Sequence, residues 1–285
     1  MEGPIATTAP KANGVRSAEE QSRKPGRSGL PGAGLAAWLP PLAGGALFLL
    51  LWELQAFHRL FGLKPYQLPL PTTIAKALAD NFELLLGYAG YTLAEAALGM
   101  LAGSALGFAV ALAAAAWPKW GAGGLLAAAS LNAVPIVALA PIMNLWFGDD
   151  MGSRIAIVAV TTMAAMAINA HKGMTTVDPL ALDLMHSYAA RRRDVFRYVR
   201  LANCLPYVFT ALKINATAGM IGAIVGEFFV SSRGLGYLLS NSIKVAKMPL
   251  GWACIVMAAV VGVLFYLLVE RLEKLFIRWH PSQRT

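Results

Sequence analysis

Charge is what this chain has least of. Only 14% of its 285 residues are Asp, Glu, Lys or Arg, against about 25% in soluble globular proteins. With 57% hydrophobic residues and a mean hydropathy of +0.57, a soluble domain of this length is excluded. Cysteine is scarce too. Cys204 and Cys254 lack metal-ligand spacing, and no structural disulfide is expected. The four histidines (His58, His171, His186 and His280) are scattered, so no metal site is predicted. No G-x-x-x-x-G-K-[ST] phosphate loop occurs, and the glycine-rich Gly29–Gly34 lacks its Lys. The chain is therefore not expected to bind or hydrolyse ATP itself. Acidic residues are few, 15 against 24 basic, leaving a net charge of +9. Nucleic acid is excluded as the reason for that charge, because the basic residues cluster beside apolar runs, as membrane orientation requires.

The apolar residues gather in runs long enough to cross a bilayer, which takes roughly 20 helical residues. Six spans are predicted: 36–56, 91–115, 122–147 (broken by Pro135 and Pro141), 155–170, 206–230 and 252–276. The fold class is all-α membrane protein. Residues 1–35, rich in Pro, Gly, Ser and charge, read as a disordered tail without signal-peptide features, and 277–285 as a short C-terminal tail. Between the first two spans lies LPLPTT (Leu68–Thr73), then an amphipathic stretch, Ile74–Leu86. Trp117-Pro118-Lys119-Trp120 reads as a tight turn. If the tail is cytoplasmic, 16 of the 24 Lys/Arg fall on its side of the membrane and 7, including Arg154, on the other. Lys213 lies inside a span. The bias places both termini in the cytoplasm.

The most organised polar segment is Asp178–Pro206, between the fourth and fifth spans. Leu182, Met185, Tyr188, Ala189, Val195, Phe196 and Val199 recur at helical spacing. Arg191, Arg192, Arg193, Arg197 and Arg200 occupy much of the opposite face. Periodicity alone fits two readings equally: docking on a partner protein, or adsorption to anionic lipid headgroups.

The order of motifs then resembles a family. Asp183–Pro206, the LKI at Leu212–Ile214, GLGYLL at Gly234–Leu239, LPLPTT, VPIVALAPIMNLWFG at Val134–Gly148 and INAHKGM at Ile168–Met174 are similar, in sequence, to the permease subunits of ABC importers. The branch is that of the nitrate, sulfonate and taurine permeases, with a methionine-importer-like transmembrane fold, and the resemblance covers residues 36–276. It implies that the loop docks on a separate ATPase. Asp183 takes the family's Glu position, Leu184 and Met185 its two Ala positions, Ala189 its Gly, and Leu205-Pro206 its closing Leu-Pro. The departures are Ala189, where Gly suits a turn of positive φ, and the unusually basic Arg191-Arg192-Arg193. Either Ala189 is helical or the turn lies elsewhere. Met185, Tyr188 and Phe196 supply an apolar knob, and the arginines, including Arg197, can pair with acidic groups.

The resemblance further implies a homodimer or paired permease, two cytoplasmic ATP-binding subunits carrying ATP and Mg, and a periplasmic or lipid-anchored solute-binding protein. The site is the bacterial inner membrane. The solute is expected to be a small organic or inorganic anion, with pyrimidine-like vitamin precursors open. The third and fifth spans are expected to line the pore, through Asn132, Pro135, Pro141, Asn144, Asn215 and Glu227. Glu227 either lines an outer vestibule or hydrogen-bonds a neighbouring loop. Glu95 with Thr92 reads as a helix-packing contact, and Lys213 as a stem snorkelling to the cytoplasmic interface. The rival reading is a self-sufficient secondary transporter or channel, which would show internal repeats and paired intramembrane charges. A scaffold without transport would leave the intramembrane prolines and polar groups without a role.

Overall fold

The computed structural model describes residues 39–277. The chain divides into two units, 1–50 and 51–285. The described part of the first belongs to α1 (Leu39–Glu53), an apolar helix of 15 residues. That is shorter than a spanning helix, and the expected first span (36–56) begins outside the described residues.

The second unit is helical throughout its described part. After α2 (Ala56–Phe61) come α3 (Pro71–Asp80), α4 (Phe82–Ala116), α5 (Pro118–Leu131), α6 (Ile136–Phe147) and α7 (Met151–Thr175). Then follow α8 (Pro179–Ser187), the three-residue α9 (Arg192–Asp194) and a π-helical turn, Val195–Arg200. The chain ends in α10 (Leu201–Val230), α11 (Leu235–Lys244) and α12 (Met248–Phe276). Proline sets several of the starts. Pro71, Pro118 and Pro179 open their helices, and Pro249 is the second residue of α12. The missing N–H costs nothing there, since first-turn donors have no helical partner.

Among the described residues, four helices are long and apolar enough to cross a membrane, and a fifth span results if the bent pair α5–α6 is one crossing. The expected spans are corrected in extent. The second begins at Phe82 rather than 91, because the amphipathic stretch breaks at Asn81 and Leu85 and Ala89 are already buried in the bundle. The fourth runs Met151–Thr175 and takes in Arg154. The third bends by 98° between its halves. Pro135 sits at that break as the N-cap of α6, whereas Pro141 is carried inside α6 without interrupting it. The fifth does not begin at Pro206, since α10 passes through that residue and, with α9 and the π turn, gives a 39-residue helical run.

Small residues bring the spans together. Gly99, Gly103 and Gly107, four apart on α4, meet α7 at Val158, Ala159, Thr162 and Met166 in ascending order. The two helices are therefore parallel. A Cβ at Gly103 would fall inside contact distance of Thr162 Oγ1 and the Ala159 carbonyl. Gly219, Gly222 and Gly226 of α10 meet Val158, Ile157 and Arg154. Without a hydrophobic drive between helices in lipid, such close backbone approach is what dispersion and hydrogen bonding require. Ala96, Met100, Val158, Ala216, Met220, Ala223, Phe265 and Val269 form the central core.

Lys213, expected as a stem reaching the cytoplasmic interface, ends near the C-terminus of α12 and is paired there. Its Nζ lies 2.7 Å from Glu273 Oε2, with the two side chains 24% and 14% exposed. The pair joins α10 to α12.

Candidate coupling loop and buried polar cluster

At one end of the bundle, α8 stands apart from the spans. Asp178 caps it, its Oδ1 accepting from the Leu180 N–H at 2.9 Å. The helix closes in a Schellman turn. The Ala190 N–H donates to the Met185 carbonyl at 3.0 Å and the Ala189 N–H to the His186 carbonyl at 2.9 Å. Ala189 occupies the left-handed position, with φ +49. Both alternatives for Ala189, a helical backbone or a turn elsewhere, are thus corrected: the turn is where the resemblance put it, built on Ala, at a cost of about 1 kcal/mol.

The predicted single amphipathic element is two pieces. Leu180, Leu184 and Tyr188, spaced by four, are 78%, 54% and 72% exposed and form the outward apolar stripe. Asp183 is also exposed, and its carbonyl accepts from Ser187 Oγ. Met185, expected in the knob, is half-buried on the inner side. Phe196 packs inward against the cluster of Ala111, Met166, Met174 and Cys204. It belongs to the extension of α10, not to the exposed apolar stripe. Arg191 is the N-cap of α9; Arg191, Arg192, Arg193 and Arg197 are exposed. Arg197 lies 5.8 Å from the Tyr198 ring centre. Asn203 holds the loop to the bundle, its Nδ2 donating to the carbonyls of Gly173 and Thr176, both at 2.8 Å. Beneath the loop, a cavity of about 550 Å³ lined by Ala115, Leu182, His186, Phe196 and Arg200 separates it from the end of α4.

At the opposite end of the bundle lies a polar cluster. Arg154 is 1% exposed and Glu95 0%. Arg154 Nε donates to Glu95 Oε1 at 2.9 Å. Its other nitrogens reach the Asp149 and Val230 carbonyls, Ser153 Oγ and the Tyr91 hydroxyl at 3.2–3.4 Å. Glu227, 1% exposed, accepts from the Gly236 N–H at 2.7 Å. Thr92 Oγ1 accepts from the Leu235 N–H at 2.9 Å. Glu95 and Thr92 thus do more than pack helices, and Glu227 takes the loop-bonding role that the sequence left open. Arg154 was counted with the outer loop charges; its position at the edge of the apolar run that begins at Ile155 carried no local signal of burial.

The pore-lining candidates scatter. Asn132 caps the end of α5, and Asn132, Pro135 and Pro141 are exposed along the bent pair. Asn144 is half-buried. Asn215 is fully buried within this chain, its Nδ2 donating to Ser104 Oγ at 3.1 Å. Asn215 and Glu227 therefore tie helices together within one chain.

The structure thus sets a helical bundle with a bent pair beside a capped helix whose apolar stripe is exposed. Residues 103–278 match the family of binding-protein-dependent transport system inner membrane components, and the chain belongs to that family. The formylaminopyrimidine transport permease of Halalkalibacterium halodurans is 28% identical over 254 residues, covering 86% of this chain and 97% of that protein. The putative aliphatic sulfonates transport permease of Bacillus subtilis is 27% identical over 285 residues, with 99% of each chain covered. The inward-facing MetNI methionine ABC transporter superposes with a TM-score of 0.60 at 15% identity, covering 68% of this chain and 97% of that one. The chain is accordingly the permease subunit of a binding-protein-dependent ABC importer, a transport component rather than an enzyme.

Proposed function

We propose that α8 is the contact through which separate ATPase subunits, carrying ATP and Mg, drive this permease. The observation that carries the reading is the stripe of Leu180, Leu184 and Tyr188. Three large apolar side chains stand exposed on a helix clamped at both ends, beyond the helices long enough to span the membrane. A partner groove would bury them, with Arg191–Arg193 and Arg197 facing acidic groups on its rim. In this reading the loop and both termini are cytoplasmic, in a bacterial inner membrane. Two copies pair along the bent helices α5 and α6, whose Asn132, Pro135 and Pro141 are exposed on each copy. A soluble or lipid-anchored binding protein delivers the solute to the other face. Two of the relatives matched over nearly their whole length are named for formylaminopyrimidine and aliphatic sulfonates, so a small organic solute, such as a sulfonate or a substituted pyrimidine, is the cargo proposed.

The test is co-purification. With tagged ATPase expressed alongside, Leu184→Asp combined with Tyr188→Asp should release the ATPase while the permease stays folded in the membrane. Full retention of the ATPase would refute the docking face.

A further inference from the structure

Glu95, Glu227 and Arg154 are each at most 1% exposed, and each comes from a different helix, α4, α10 and α7. Two carboxyls thus face one guanidinium in a site closed to solvent. Glu95 spends Oε1 on Arg154, and Glu227 spends Oε2 on the Gly236 N–H. The remaining oxygens, Glu95 Oε2 and Glu227 Oε1, are buried without another hydrogen-bond partner, and the two carboxyls are neighbours: consecutive N–H groups, Leu235 and Gly236, meet Thr92, one turn before Glu95 on α4, and Glu227. Ionised carboxylates only accept hydrogen bonds. Two of them in contact repel, and a bare extra anion in a low-dielectric site is expensive.

We infer that the Glu95–Glu227 pair binds one proton, held between Glu95 Oε2 and Glu227 Oε1, which makes the cluster with Arg154 electrically neutral. The site is a carboxylic acid–carboxylate pair, and its ligand is H⁺. Every element packed on it is accounted for. The α4 helix adds Tyr91, whose hydroxyl accepts from Arg154, and Thr92, whose Oγ1 donates to the Tyr88 carbonyl and accepts from the Leu235 N–H, and α7 adds Ser153. The α11 helix offers only backbone N–H groups. The charged groups at the rim are exposed: Asp149, 3.7 Å from Arg154, and Glu83 and Arg233, which share a surface cavity with Tyr91.

The proton also gives the Gly234-Leu235-Gly236 turn its purpose. Gly234 has φ +94, and a Cβ there would overlap the Glu227 carboxyl. The turn can close over the pair only as glycine. It then delivers the Leu235 and Gly236 N–H groups to Thr92 and Glu227. The short helix α11 is latched to the spans through the protonated pair.

The experiment is infrared spectroscopy of the permease–ATPase complex in nanodiscs at pH 7.5, with ¹³C-carboxyl glutamate to assign bands. Wild type should show one carboxylic-acid C=O band from glutamate, shifted by ¹³C and by D₂O. Glu227→Gln and Glu95→Gln should each abolish it, because one carboxyl then balances one guanidinium. Glu227→Gln keeps an acceptor for Gly236 and supplies an amide donor in place of the proton, so its thermal midpoint should stay near that of wild type, while Glu227→Lys should lower it. Absence of the band in wild type would overturn the inference. So would survival of the band in either Gln variant, which would place the proton on one residue alone.

Discussion

Replacing Arg154 with Met tests the polar cluster most directly. The guanidinium is the one cation buried there, and it meets Glu95 at 2.9 Å. Breaking a buried ion pair by removing one partner typically costs 3–5 kcal/mol, because the surviving charge is stranded. Here the stranded group has an exit: Glu95 can take up a proton. For a carboxyl with an ordinary value of about 4.3, that uptake costs about 4 kcal/mol at pH 7.5, at about 1.4 kcal/mol per pH unit. The loss in Arg154→Met is therefore about 4 kcal/mol at pH 7.5 and less in acid. The sign follows from linkage. The folded variant holds one proton more than folded wild type, whose Glu95–Glu227 pair already carries one, while the unfolded chains have released both, so the gap between the two narrows as pH falls. Between pH 7.5 and 5.5 the gap to wild type should shrink by about 3 kcal/mol. The assay is thermal unfolding of both proteins in the same nanodiscs at the two pH values. Removing both partners, as Glu95→Leu with Arg154→Met, should recover most of the loss, since apolar replacement of a buried pair is often neutral or better. A variant within 1 kcal/mol of wild type at pH 7.5, or a gap that ignores pH, would refute the reasoning.

Other substitutions probe single contacts. Gly103→Ala should lose about 1–3 kcal/mol by overpacking against Thr162 and Ala159, whereas Gly123→Ala, with open space around its Cβ, should gain up to about 1 kcal/mol of helix propensity; thermal midpoints decide. Ala189→Gly should relieve the left-handed strain and stabilise the loop by at most about 1 kcal/mol, seen as slower amide exchange at Ala190. Lys213→Glu should weaken the α10–α12 contact by about 1 kcal/mol, and Lys213→Glu with Glu273→Lys should restore it, as a double-mutant cycle would show. Purified without partners, the chain should not turn over ATP. A cysteine at position 192 should be labelled only from the cytoplasmic side, and external labelling would invert the topology.

Much of this was legible in the sequence because lipid leaves few choices. Apolar runs near spanning length must be helices, and the runs containing 91–115, 155–170, 206–230 and 252–276 are helices. Their ends were harder to place. Phe82–Tyr91 and Met151–Arg154 carry polar residues, and hydropathy ends a span where tertiary partners continue it. Arg154 was misplaced for that reason: nothing local tells a loop arginine from one whose acid sits 59 residues away. The loop's capped start was written in Asp178-Pro179, whereas the turn fell at the matched motif position although the Cβ of Ala189 argued against a positive φ there. That Phe196 points inward was not visible, because α10 extends past Pro206 and changes the helical phase of everything before it. The partner of Lys213 was hidden for the same reason, Glu273 lying on another helix.

The lengths involved bear on how docking could matter to transport. The run from Arg192 to Val230 is 39 residues, about 58 Å at helical rise, so one continuous element carries the docking loop at one end and Glu227 near the other. Its mid-section is gripped through Gly219, Gly222 and Gly226 against α7, where Cβ atoms would already touch Val158, Ile157 and Arg154. So close a seam transmits displacement rather than absorbing it. Compliance sits at the loop end, in the π turn and the cavity beneath α8. A pull on Leu184 and Tyr188 would first take up that slack and then move α10 and α7 together. The bent pair α5–α6, packed on both α7 and α10, has to follow. The face that moves is then the one bearing Asn132, Pro135 and Pro141, and cross-linking α7 to α10 through Val158 and Gly222 should leave transport intact where cross-linking α6 to its counterpart in a second copy abolishes it.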